Sequence, residues 1–247
     1  MIDLRLGDCL EVMKTIKDNS VDAIITDPPY GTTACKWDNV IDFDLMWEQL
    51  NRIIKPNGAI VLFGSEPFSS ALRMSNIKNY KYDWVWKKNR PTNFAHAKNK
   101  PMKKHENISV FSDGTTVHKS QSKRRMPYFP QGLVDIPHKR ITKKLNEKSD
   151  VFFQDRKGHK EFTRKQTNYP NTILEFSTDN LGLHPTAKPI KLMEYLIKTY
   201  TNENETVLDF TMGSGTTMLA CKNLNRNGIG IEKDPNYYAV AVARVDG

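Results

Sequence analysis

Apolar residues run almost unbroken through Val21-Asp22-Ala23-Ile24-Ile25 and again through Ala59–Phe63. A strand with one wet face alternates polar and apolar residues. A continuous run marks a parallel strand covered on both faces. Both stretches are therefore expected as central strands of an α/β sheet. Leu4-Arg5-Leu6, Thr206–Asp209 and Gly228–Ile231 read as shorter strands, and Tyr80–Lys87 and Asn107–Ser112 as two more. In the first of that pair, Tyr82, Trp84 and Trp86 share one side.

Helical spacing fills the intervals. Cys9, Val12, Met13 and Ile16 predict a short helix over 9–16. Phe43, Met46, Trp47, Leu50, Ile53 and Ile54 predict a second, ended by Pro56-Asn57-Gly58. A third runs from Pro67 to about Ile77. Ile190, Met193, Leu196, Ile197 and Tyr200 mark a fourth, and the last two end near Leu224 and Val245. Gly31–Ile41 lacks periodicity and reads as a loop.

Charge changes the picture between the helices. The 247-residue chain has a formal net charge of +9, unevenly placed. Residues 87–165 hold 21 Lys/Arg against 7 Asp/Glu, a net of +14, and the rest holds 16 against 21, a net of −5. From Asp113 to about Asn180 regular patterning gives way to a basic stretch. It contains Lys123-Arg124-Arg125, Lys139-Arg140 and Lys143-Lys144, interleaved with aromatics such as Tyr128 and Phe152. A basic middle in an acidic body suits a nucleic-acid partner, although a solvated loop has the same composition. Cys9, Cys35 and Cys221 form no C-x-x-C pair, so neither disulfides nor a metal site is expected. No apolar run approaches the ~18 residues of a membrane span, and a cytoplasmic protein without a membrane partner is the expectation.

The first central strand ends in Thr26-Asp27-Pro28-Pro29-Tyr30-Gly31. Two prolines end the strand as a stiff, extended segment. Asp27, the Pro28 carbonyl and the Tyr30 ring then share a strand's C-terminal end, where open α/β sheets bind ligands. Asp27 and the Pro28 carbonyl can each accept a hydrogen bond from an exocyclic amine of a nucleobase. Such bonds localise a lone pair otherwise delocalised into the ring, while Tyr30 can stack on a base taken out of the duplex. A strand followed by a Pro-Pro turn, with Tyr30 merely packing, is the alternative.

A second constellation lies at 206–232. A strand ending in Asp209 leads into Phe210-Thr211-Met212-Gly213-Ser214-Gly215-Thr216-Thr217, a helix, and a strand ending in Glu232. Glycines admit a ligand to the backbone, and an acid after the next strand can bond ribose hydroxyls. The spacing is not G-x-G-x-x-G and no Walker lysine follows Gly215. Tight helix–strand packing would also explain these glycines.

Together, Asp27–Tyr30, the basic middle and Asp209–Thr217 resemble the S-adenosylmethionine-dependent DNA amino-methyltransferases of the β group. In these the catalytic motif precedes the target-recognition region and the cofactor motif. The resemblance implies a Rossmann-like, seven-stranded, mostly parallel sheet with helices on both faces, in circularly permuted motif order. It divides the chain into a catalytic part at 1–112, a target-recognition insertion at 113–180 and a cofactor-binding part at 181–247. Asp27, Pro28, Pro29 and Tyr30 would form the target-amine site. Phe210, Gly213, Ser214, Gly215 and Thr216 would line the cofactor's methionine end, Glu232 would hold its ribose, Asp8 would lie near its adenine, and Cys9, Asp209 and Thr217 would join the cofactor site. His184, Thr186 and Lys188, in a segment similar to the one preceding the family's cofactor strand, would bind its carboxylate, and Asp27 would border it. Phe63 and Ser65 would wall the pocket. Lys123, Arg124, Arg125, Lys139, Arg140, Lys143 and Lys144 would contact DNA. Asp209-Phe210-Thr211 departs from the family's frequent Asp-Pro-Phe by displacing the aromatic one position.

The implied activity is methyl transfer from S-adenosylmethionine to adenine N6 in double-stranded DNA, without a metal or a covalent intermediate. Cytosine N4 is the alternative; a non-catalytic DNA-binding module and an RNA or protein methyltransferase are others. A homodimer and a separate restriction endonuclease stay open as partners.

Overall fold

The computed structural model describes residues 1–32, 38–117, 123–142, 162–178 and 187–247. In chain order its elements are β1 (Ile2–Leu6), α1 (Cys9–Met13), β2 (Val21–Thr26), α2 (Phe43–Ile53), β3 (Ile54–Gly64), α3 (Phe68–Ser75), β4 (Tyr80–Thr92), β5 (Lys103–Phe111), β6 (Val134–Thr142), β7 (Phe162–Thr167), β8 (Ile173–Glu175), α4 (Ile190–Tyr200), β9 (Thr206–Asp209), α5 (Thr216–Asn223), β10 (Asn227–Glu232) and α6 (Pro235–Asp246). They form two compact units, Met1–Phe129 with Thr172–Gly247, and Pro130–Asn171.

The first unit holds an eight-stranded sheet in the order β1-β10-β9-β2-β3-β5-β4-β8. Pairing is parallel from β1 through β3 and between β4 and β8. It is antiparallel where β5 joins β3 and β4. Seven of these strands make the expected mostly parallel sheet, and three-residue β8 extends its edge. The central run of β2 is buried because alternate residues enter different cores. Ala23 and Ile25 pack with Leu196 of α4, Met218 of α5 and Ala241 of α6, whereas Val21 and Ile24 pack with Met13 of α1, Leu50 of α2 and Leu72 of α3. Burying each such aliphatic side chain contributes about 1.5–3 kcal/mol. The helices thus cover both faces.

Helix α2 starts where Asp42 accepts a hydrogen bond from the Leu45 N–H (3.0 Å), an N-cap that satisfies an otherwise orphan donor. It does not run to Pro56-Asn57-Gly58. Ile54 is already extended and pairs with Val21, and the next paired residue of β3 is Ala59. The Pro-Asn-Gly segment is an irregularity within a long strand, with Asn57 left-handed (φ 64°). Helix α1 is also shorter than its periodicity predicts: Ile16 remains buried, but in a tightened turn whose N–H bonds to Met13 O (3.0 Å).

Strands β4 and β5 continue past the end of β3 as a hairpin ladder, Lys87 opposite His105 and Thr92 opposite Lys103. Residues 87–105 carry seven Lys/Arg and no acid, and Phe94 among them is 82% exposed. The basic stretch at 113–180 divides between the units. Met126 is buried in the first unit's core, the Phe129 N–H bonds to Thr199 O (2.8 Å) and β8 pairs with β4. The second unit, described by itself, is the antiparallel pair β6–β7, with Asn168 Nδ2 donating to Gly132 O (2.6 Å).

Trp84 and Trp86 of β4 are buried on the face that Tyr82 shares. Trp84 Nε1 donates to the Tyr200 hydroxyl (2.7 Å), which also bonds Tyr82 OH (3.0 Å). Replacing Tyr200→Phe removes only the oxygen but leaves a buried indole N–H unpartnered. This should cost about 1–3 kcal/mol, read as a lower urea midpoint at unchanged m-value. A loss below about 0.5 kcal/mol would show that this hydroxyl holds nothing together.

Candidate active site

Pairing β2 with β9, Ala23 opposite Val207 and Ile24 opposite Leu208, brings two strand ends separated by more than 180 positions into contact. A lattice of hydroxyls and one carboxylate fastens them. Thr26 Oγ1 donates to Asp209 and accepts from Thr211 Oγ1 (2.8 Å), Thr217 Oγ1 donates to the other Asp209 oxygen, and Thr211 Oγ1 also lies 3.1 Å from the Asp27 carbonyl. Burial pushes the Asp209 carboxyl up to about 6, although bonds from Thr217, Thr26 and the Thr211 N–H oppose the shift. Asp209 is thus a structural tie as well as a wall of the site.

Above this tie lies a cavity of about 710 Å³. One end is lined by Phe210, Gly213, Ser214, Thr216, Thr217 and Glu232, with Asp8 and Cys9 beside them, and the other by Asp27, Pro28, Pro29, Tyr30, Glu106 and Lys188. The two constellations read from the sequence therefore open into one space.

At the first end, the Glu232 carboxylate accepts from the backbone N–H groups of Gly213 (2.9 Å) and Asp234 (2.8 Å), which tie it to the glycine turn. The Gly7 N–H bonds to Glu232 O (2.9 Å), so Asp8 and Glu232 meet at adjacent strand ends although 224 positions apart. Asp8 caps α1 through the Leu10 N–H (3.0 Å) and pairs with Lys233 Nζ (2.9 Å). The Lys233 bond holds its carboxyl below the ordinary value. Burial pushes the Cys9 thiol up to about 12, which removes it as a nucleophile at neutral pH. Gly215 is not among the cavity residues. Its left-handed φ of 76° and a Cβ position 2.9 Å from Ala241 Cβ make it the glycine that lets α5 and α6 approach. For this glycine, the packing explanation is the one the geometry supports.

At the second end, Asp27 accepts from Tyr30 OH on one oxygen and from Lys188 Nζ on the other. Lys188 Nζ also lies 3.4 Å from Glu106 Oε2, and Lys88 Nζ bonds Glu106 Oε1. Burial raises the Asp27 carboxyl above its ordinary value, and the Lys188 charge pulls against that. Against the cost of burial, Asp27 and Glu106 hold the Lys188 ammonium above its usual value. Burial likewise opposes ionisation of Glu106, but Lys188 and Lys88 outweigh it and hold that carboxyl low. Burial and Asp27 push the Tyr30 phenol well up, so it remains a donor. The Tyr30 ring lies 5.1 Å from Phe68, tilted by 31°. Asp38 accepts from Gly31 N (2.8 Å) and Thr32 N (2.9 Å), folding the loop back on itself.

Lys188, which the resemblance assigns to the cofactor carboxylate, directs its Nζ to Asp27 and Glu106; His184 and Thr186 lie outside the described residues. Phe63 is buried beneath Lys188, whose Nζ is 5.1 Å from the ring centroid. Ser65 accepts from Lys103 Nζ. Lys123, Arg124 and Arg125 are exposed on the first unit, where the Thr115 N–H bonds to Arg124 O (2.7 Å). Lys139 and Arg140 lie on β6 of the second unit, and Lys143 and Lys144 lie outside the described residues. Glu106 and Lys88 escaped the sequence reading. The available signal was an acid two positions before the mostly apolar Ile108–Phe111, because an antiparallel strand enters the sheet at the end where its parallel neighbours finish. Among the described residues no cluster of three or more His, Cys, Asp or Glu has metal-binding geometry.

A family model described as DNA methylase matches residues 21–243. The type II methyltransferase M.HpaI of Haemophilus parainfluenzae is 28% identical over 265 residues, covering 99% of this chain and 75% of its own. Among solved structures, the M1.HpyAVI–SAM complex aligns over all of both chains at 29% identity with a TM-score of 0.64. The cytosine-N4-specific PvuII DNA methyltransferase aligns over 98% of this chain and 86% of its own, at 18% identity and a TM-score of 0.67. The last likeness is one of fold.

Removing the ammonium beside Asp27 should raise that carboxyl further. In Lys188→Met the Asp27 titration, followed through its carboxyl ¹³C resonance, should move up by about 1–3 pH units. An unmoved titration would mean that Lys188 is not the charge that keeps Asp27 ionised.

Proposed function

The chain belongs to the N6/N4 DNA methylase family, and from that premise we propose that it methylates adenine N6 in double-stranded DNA. The methyl donor is S-adenosylmethionine. The observation that carries the reading is the shared cavity. A half-buried carboxylate with a counter-charge stands across one space from a glycine turn tied to an acidic strand end. That end fits a nucleoside cofactor: Gly213 has φ 53°, a conformation that brings bare backbone toward a ligand, and Glu232 lies within reach of ribose hydroxyls. Asp8 would border the adenine ring.

S-adenosylmethionine supplies an electrophilic methyl group. The chain's own residues present the nucleophile. Tyr30 offers its ring face to a base drawn out of the duplex. Asp27 and the Pro28 carbonyl accept the two N–H bonds of the exocyclic amine, which draws its lone pair out of conjugation and toward the methyl. The acceptor at Asp27 must be ionised, and the Lys188 charge serves that requirement. Residues 1–112 supply the amine end, 181–247 the cofactor end in permuted order, and 113–180, with its exposed Lys123-Arg124-Arg125, the reading of DNA sequence. The aspartate that opens Asp27-Pro28-Pro29-Tyr30 favours adenine over cytosine.

The test is to incubate the protein with methyl-labelled S-adenosylmethionine and unmethylated DNA, then digest the DNA to nucleosides. Label should be found in N6-methyldeoxyadenosine. Label in N4-methyldeoxycytidine would replace the base assignment, and unlabelled DNA would overturn the activity.

A further inference from the structure

In the protein without DNA, both Asp27 oxygens are taken, one by Tyr30 OH and the other by Lys188 Nζ. Each oxygen keeps a further lone pair, so a target amine arriving at this carboxylate shares it with these donors or displaces one of them. The surroundings show where Lys188 can go. Glu106 Oε2 is buried, and among the described residues no donor reaches it with hydrogen-bond geometry, which leaves it room to accept a better-formed bond. It lies 3.4 Å from Lys188 Nζ. An approach of about 0.5 Å would bring the pair to charge-assisted hydrogen-bond length. Lys88 already bonds the other Glu106 oxygen and lies 5.0 Å from the Trp86 ring centroid, so the carboxylate is fixed in place. The Phe63 ring under Lys188 offers its face to the ammonium from below.

The geometry points to Glu106 as a positioning residue that receives Lys188 when the target base arrives, releasing one Asp27 oxygen to the base's amine. The inference rests on the methyltransferase reading above. No proton changes owner in this exchange. Lys188 keeps its three, its N–H bond to Asp27 breaks as one to Glu106 forms, and the vacated Asp27 oxygen accepts an amine N–H. The site's total charge is unchanged, and no carboxylate in it is left without a donor.

Two substitutions separate charge from shape. Glu106→Gln keeps the shape and loses the charge, whereas Glu106→Asp keeps the charge and shortens the side chain. With unmethylated bacteriophage DNA and labelled S-adenosylmethionine, Glu106→Gln should lower kcat by roughly tenfold to a hundredfold. Its KM for S-adenosylmethionine, determined on the folded variant, should match the parent, and Glu106→Asp should turn over faster than Glu106→Gln. A structural role predicts the reverse order, because Gln fills the same space. A Gln variant within about twofold of the parent's kcat, or faster than the Asp variant, would overturn the inference alone. A parent that labels no DNA would remove the methyltransferase reading, and this inference with it.

Discussion

Burial and ionisation oppose each other at Asp27, and the way the fold resolves that opposition governs the site. A carboxylate withdrawn from water tends to take up a proton unless a cation or several donors stabilise its charge. Here the Lys188 ammonium, whose side chain is only 7% exposed, meets the carboxylate directly, with Tyr30 OH on its other oxygen. Removing one partner from a fully buried pair typically costs about 3–5 kcal/mol, and less where, as here, the carboxylate keeps 22% of its side-chain surface. The pair is therefore as much a part of the fold's stability as of its chemistry. Glu106 and Lys88 extend it into a line of alternating charge, so that neither ammonium is buried without a carboxylate.

The sheet order makes the pair possible. Asp27 and Lys188 are 161 positions apart, yet β2 lies beside β9 and α4 packs on the face that β2 shares with β9. The same order sets the glycine turn after β9 next to Asp27 and brings β10 beside β1, so Glu232 and Asp8 meet. One lattice, from Thr26 through Asp209 to Thr217, locks the ends of β2 and β9 together.

Much of this could be read from the residues because the deciding signals are local. A two-sided apolar run has no other comfortable place than mid-sheet, and Pro28-Pro29 can end such a strand but not continue it. The glycine turn and its trailing acid were legible for the same reason. What stayed hidden depends on distant partners. Glu106 looks like any polar residue at a strand start until Lys88 and Lys188 are set beside it. The extension of β4 to Thr92 lacks alternation because it carries no large apolar side chain, and backbone pairing with β5 at Thr92 carries it. Pro56-Asn57-Gly58 has the composition of a helix stop, yet the pairing of Ile54 with Val21 had already ended the helix. That Gly215 also lets α5 and α6 approach shows only once Ala241 is found against it.

The proposed activity requires the Asp27 carboxylate to activate the target amine rather than to hold the cofactor. The measurement that bears on it most directly is a paired determination on Asp27→Ala: single-turnover methyl transfer to DNA, and calorimetric titration with S-adenosylmethionine. Losing an acceptor that acts on the transition state costs about 2.7–4 kcal/mol by analogy with oxyanion-hole donors, or roughly a hundredfold to a thousandfold in rate. Transfer should fall by at least that much while cofactor affinity stays within a few-fold of the parent. Transfer within a few-fold of the parent, or a rate loss matched by an equal loss of cofactor affinity, would contradict the account.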